Sequence, residues 1–110
     1  MNVNQRDIIE LNFELPNGKF QNHPALVISN QHVLDAEDIF YAVMISTKEY
    51  NDEFSVELTN AMLTKPLFKK SFVKCQLIQS YTTNEVISKI SSIKQSHFEK
   101  IKQVLFDTVF

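Results

Sequence analysis

IFYAVMIST, residues 39–47, is the longest apolar run in the chain, and its length is that of a strand. It falls far short of the roughly 18 apolar residues that a membrane-spanning helix requires. Working outward from it, QHVLDAED (31–38) is polar and reads as a connection with a short helical turn. PALVISN (24–30) is continuously apolar with β-branched members, as in a strand buried on both faces. Pro24 belongs at the beginning of that strand, because proline donates nothing to a ladder. DIIELNF (7–13) alternates Ile9, Leu11 and Phe13 with Ile8, Glu10 and Asn12, which suits a half-buried strand. Between these two strands LPNGKFQNH (15–23) contains Pro16, Asn17 and Gly18, so a loop longer than a tight hairpin turn is expected there.

On the other side, EFSVEL (53–58) directs Phe54, Val56 and Leu58 inward. TNAMLTKPLFKK (59–70) is a connection closed by Pro66, with Lys69 and Lys70 in a solvated turn. SFVKCQLIQSY (71–81) reads as a strand in which Cys75 alternates with Val73 and Leu77 as a buried thiol, and EVISKI (85–90) as a shorter strand. A helix ends the chain. Ser96 and Glu99 have the spacing of a capping box, and Phe98, Ile101, Leu105 and Val109 form one apolar stripe. The expected fold is mainly β with α, a single domain over residues 1–110. Five to six mostly meandering strands would form a small barrel packed by the C-terminal helix.

Composition excludes several classes. The chain has 110 residues, 44% of them apolar, with one glycine and one cysteine. A single glycine cannot build the glycine-rich loops of nucleotide-binding folds. A single cysteine excludes an intrachain disulfide and a multi-thiolate zinc site, and His23, His32, His97 and Cys75 lack metal-ligand spacing. The N-terminus MNVNQRDIIE has no apolar core of a signal peptide, so a cytoplasmic protein is expected. Net charge is −2, but unevenly spread. Residues 1–55 hold three basic and nine acidic side chains, a net −6; residues 56–110 hold eight and four, a net +4.

Several of these segments, in the same order, resemble the toxins called MazF, PemK or Kid from bacterial toxin–antitoxin pairs. QRDIIELNF is similar to the family's opening RGDIVLVDF, and HPALVISN to its RPALVISN. IFYAVMISTKE resembles its third strand, which ends in a threonine near serine and lysine, and EFSVEL resembles the strand that follows. SFVKCQLIQSYTTNEVISKI resembles SVVLLDQIRTVDKSRLVKKI, and SIKQSHFEKIKQVL stands where the family has LSDEDMARVDEAL.

The resemblance implies an SH3-like barrel forming a two-fold homodimer. It also implies an endoribonuclease that cuts single-stranded RNA without metal or cofactor, leaving a 2′,3′-cyclic phosphate and a 5′-hydroxyl. A cognate antitoxin would hold it in check. Two alternatives stay open on the same fold: a catalytically weak or inactive module binding RNA or protein, and a gyrase-poisoning toxin. The family's arginine before the strand proline is His23 here, and its threonine is Ser46, or Thr47 one residue on. By that resemblance His23 is the candidate proton carrier and phosphate cation, and Ser46 the hydroxyl donor. Histidine changes charge near neutral pH, which arginine does not. RNA binding is expected from Lys19, Phe20 and Gln21 in the first long loop and from Thr47, Lys48 and Tyr50 after the third strand. Gln76 stands for the glutamine of the DQIR word, Gln79 for its basic residue, and Arg6 replaces a family glycine as a further phosphate contact.

Overall fold

In the computed structural model, which describes residues 2–49 and 53–110, β3 (Ile39–Ser46) runs through the middle of the molecule. Its alternation fills both faces: Phe40, Ala42 and Met44 face one side, Val43 and Ile45 the other, and all are buried. On one flank lie β2 (Phe20–Val27), β1 (Asp7–Glu14) and β6 (Ser88–Ser92); on the other lie β5 (Ser71–Thr82) and β4 (Ser55–Leu58). Every neighbouring pair is antiparallel. A short helix, α1 (Gln31–Ala36), joins β2 to β3 and is capped by the Asn30 side chain, which accepts from the Val33 N–H at 3.0 Å. The chain closes with α2 (Gln95–Val109). Among the described residues no helix is long and apolar enough to cross a membrane.

The six strands do not close into a continuous barrel ladder. Instead the sheet curls until its two edges are tied just beyond β4 and β6. Leu63 bridges Ile93, the Thr64 N–H donates to the Ser92 carbonyl, and the Lys94 N–H donates to the Met62 carbonyl. The concave side holds Ile8, Leu26, Val43, Ile45, Val73, Cys75 and Ile93, plugged by Phe98, Ile101 and Leu105 of α2. Each such buried side chain contributes about 1.5–3 kcal/mol relative to exposure. The opposite face carries a second core of Ile9, Leu11, Phe13, Ala25, Val27, Phe40, Ala42, Met44 and Tyr81.

Several local expectations are corrected. The first loop is shorter than residues 15–23. A turn closed by the Gly18 N–H and the Leu15 carbonyl, with Gly18 at φ +84°, returns the chain at once, and β2 begins at Phe20. Phe20 and Gln21 are therefore strand residues and Pro24 lies inside β2, opposite Glu10. Proline is tolerated there because the Val27 carbonyl accepts from the Arg6 N–H, so odd-numbered β2 residues turn their backbone to β1 and Pro24 turns away. On that side β3 pairs only with Ala25–Val27.

At α2, Lys94 is the N-cap residue and Ser96 lies inside the first turn, so the capping box does not form. The Lys94 N–H is already fixed by Met62, which starts the helix before Ser96 is reached. Val109 is 52% exposed because the last turn of α2, with Phe106 and Phe110, is not covered by the sheet. Phe54 precedes β4 and is partly exposed, and β6 begins at Ser88 after a 3₁₀ turn over Thr83–Glu85. Cys75 is buried as expected, but Leu77 belongs to the other core, since the β3–β5 register shifts between them.

Tyr81 anchors the second core by its ring edge against Phe13, with centroids 5.3 Å apart, while its hydroxyl donates to Gln79 Oε1 at 2.9 Å. Burial pushes its pKa up to about 12, with the Glu85 and Glu14 carboxylates adding to the effect. The folded chain thus holds this proton more tightly than the unfolded one. The resulting stability is intact below pH 10 and is lost as pH rises through about 12. Urea unfolding at pH 9 and pH 11.5 is expected to show wild type losing about 2 kcal/mol more than Tyr81→Phe over that interval.

Candidate active site

Pro24 also opens the site. With no N–H to offer β3, it ends the β2–β3 ladder at Ala25, and the two strands part beyond that point. Ile45 and Ser46 continue along β5 while residues 20–24 continue along β1. Strand alternation carries the second core into this opening. Val27 and Ala25 are followed on the same face by His23 and Gln21, and Ala42 and Met44 by Ser46. The result is a groove of about 600 Å³ whose apolar end is Met44, Leu77 and Leu15 and whose polar wall includes Gln21, His23, Ser46, Thr47, Lys48 and Gln76.

The geometry is partly preorganised. His23 is half-buried, and its Nε2 lies 3.0 Å from Gln21 Oε1, so a protonated Nε2 donates to the amide and Nδ1 is the other ring nitrogen. Ser46 is 8% exposed, and its Oγ accepts from the Lys48 N–H at 3.1 Å. That contact leaves the hydroxyl proton able to donate. Thr47 and Lys48 are exposed on the rim. No carboxylate stands among the described residues lining the groove.

Six residues singled out from sequence therefore meet here: Gln21, His23, Ser46, Thr47, Lys48 and Gln76. Lys19 and Phe20 do not line the groove; both are exposed at the end of the β1–β2 hairpin, Phe20 at 61%. Tyr50 lies outside the described residues. Gln79 instead ties β5 to the hairpin, its Nε2 donating to the Glu14 carbonyl at 3.1 Å. Arg6 lies in a separate polar depression, where its guanidinium donates to the Ile93 carbonyl at 2.9 Å. Its φ of 79° explains why the resembling sequences place glycine there, since a left-handed backbone costs other residues about 1–2 kcal/mol.

The groove also takes in Lys74, which sequence reasoning passed over. Val73 and Cys75 point into the concave core, so Lys74 between them faces the other way, and it is 1% exposed. Its Nζ donates to Ser55 Oγ across the β4–β5 pair. The available signal was a lone lysine inside an apolar strand.

No curated protein matches the chain. Among solved structures it is similar to an endoribonuclease in complex with its cognate antitoxin from a mycobacterial species. That match has 15% identity and a TM-score of 0.82, and covers 98% of this chain and 95% of that one. It is also similar to the Mycobacterium tuberculosis toxin MazF-mt6, with 16% identity, a TM-score of 0.77 and coverage of 94% and 95%. A third likeness is to a MazE–MazF structure from Deinococcus radiodurans, with 15% identity, a TM-score of 0.71 and coverage of 96% and 92%. At these identities the likeness establishes the fold. The family model of the PemK-like, MazF-like toxin of type II toxin–antitoxin systems matches residues 4–108, and the chain belongs to that family.

Proposed function

We propose that the chain cleaves single-stranded RNA in the groove between β2 and β3, using its own side chains and no metal. The observation that carries this reading is the convergence in one groove of His23 from β2, Ser46 from the end of β3 with Thr47 and Lys48 just after it, and Gln76 from β5. The substrate 2′-hydroxyl gives its proton to His23, and its oxygen attacks the adjacent phosphorus. The bond from phosphorus to the 5′-oxygen breaks, and that oxygen takes a proton from the imidazolium. A 2′,3′-cyclic phosphate and a 5′-hydroxyl remain. Ser46 Oγ donates to a phosphoryl oxygen as charge builds on it, which is where a fixed donor accelerates the step.

Lys48 on the rim and Lys19 at the end of the β1–β2 hairpin add cationic attraction for RNA, and Phe20, exposed at that hairpin end, offers a ring on which an unpaired base outside the groove stacks. The protein acts in the cytoplasm as a homodimer, inhibited by a cognate antitoxin; the antitoxin-bound likenesses support that partner. The test is incubation of the purified chain with single-stranded RNA in EDTA, followed by end-group analysis. Fragments with cyclic-phosphate and 5′-hydroxyl ends are expected. Binding without cleavage would assign the groove to a binding module instead.

A further inference from the structure

Where β3 leaves β2, the main chain of β2 has an open edge. In the β1–β2 ladder the odd-numbered β2 side turns its backbone to β1: the Leu15 N–H donates to the Lys19 carbonyl and the Arg6 N–H to the Val27 carbonyl. The even-numbered Phe20, Asn22 and Pro24 therefore turn theirs outward, yet β3 pairs only with Ala25–Val27. Among the described residues nothing bonds the outward N–H or carbonyl of Asn22. Unpaired strand groups of this kind recruit other molecules, and proline is one way to blunt them. Pro24 removes one outward donor, while Asn22 keeps its own. Gln21 and His23, on either side of Asn22, line the groove, so this edge borders it along β2. The Asn22 side chain points to the opposite face and is absent from the lining.

The outward N–H and carbonyl of one extended residue form a donor–acceptor pair held in place by the ladder to Asn12. A phosphate offers acceptors alone and would use half of that pair. The edge of an unpaired nucleobase sets a donor beside an acceptor and uses both. An extended peptide is the other molecule that such an edge takes. The exposed ring of Phe20 at the hairpin end of the same edge, suited to stacking, favours the nucleic acid.

We propose that the main chain of Asn22 reads one unpaired base of the bound strand, so that base preference there is set by the backbone of β2 rather than by a side chain. This rests on reading the groove as a site for single-stranded RNA. It adds to the cutting chemistry of His23 and Ser46 a determinant of which base is accepted beside them.

The experiment compares Asn22→Pro with Asn22→Ala. Proline deletes only the outward N–H and leaves the β1 ladder whole, as Pro24 does two residues along. Alanine keeps the N–H and is the reference, so the pair separates main chain from side chain. A randomised 2′-O-methyl RNA pool, whose blocked nucleophile prevents cleavage, is selected by binding to each variant and sequenced. Asn22→Ala is expected to favour one base at one position, and Asn22→Pro to lose about tenfold of that preference with the other positions unchanged. Melting temperatures check folding, and an ester in place of the Gln21–Asn22 amide removes the same N–H if the proline variant does not fold. Equal preference in the two variants overturns the proposal and leaves the edge to strand addition by a peptide. A fall in affinity spread evenly over all positions overturns it too.

Cleavage of unmodified RNA by wild type is scored in parallel. Cleavage with equal preference in the two variants defeats the base reading alone. Absent cleavage with the lost preference defeats the nuclease reading alone. No binding by wild type defeats both.

Discussion

Replacing His23 by alanine is expected to slow RNA cleavage by about 10²–10⁴-fold, the range that general acid–base catalysis supplies. Elimination within the groove leaves His23 as the base. The groove's described lining holds no aspartate or glutamate. Among those residues only the imidazole of His23 can accept a proton from the 2′-hydroxyl and return one to the leaving 5′-oxygen. Gln21, 3.0 Å from Nε2, fixes which ring nitrogen is presented. A single-turnover assay with a fluorogenic RNA measures the rate, and affinity for 2′-O-methyl RNA should change only a few-fold. Wild-type cleavage by His23→Ala would remove the histidine from the reaction and leave the described groove without a base.

How far the site was legible in the sequence follows from the same two strands. PALVISN disclosed a strand buried on both faces, and Ala25, Leu26 and Val27 are fully buried. Its upstream extension was hidden, because Pro24 is an edge signal and the free edge exists only where β3 diverges. That divergence is tertiary, and it is what turns His23 and Gln21 from loop residues into the wall of a groove. Ser46 was legible as the end of an apolar run. Lys74 was not, since alternation with Val73 and Cys75 assigns it to the outer face of the strand, and only the fold shows that this face is buried and lines the groove. The helix boundary failed for a related reason. Ser96 and Glu99 have capping chemistry, but the tie between Lys94 and Met62 binds the chain first, and Glu99 pairs instead with Lys102 at 3.1 Å.

Phe98→Ala is expected to destabilise the protein by about 3–5 kcal/mol, as large-to-small changes at buried aromatics do. Phe98 is 1% exposed and belongs to the plug that α2 places against Ile8, Val73 and Ile93. The curled sheet cannot fill that volume itself, because its edges meet through one bridge at Leu63 and Ile93 rather than a full ladder. Total stabilities of domains this size are about 5–15 kcal/mol, so the variant should unfold well below the wild-type melting temperature. Phe106→Ala, on the exposed side of the same helix at 60%, should change stability by less than about 0.5 kcal/mol. The groove grows out of the other core, on the opposite face of the sheet. At a temperature where Phe98→Ala is still folded, its cleavage rate per folded molecule should therefore match wild type. A rate that falls with the core would mean that the curl held by α2 also sets the spread of β2 and β3.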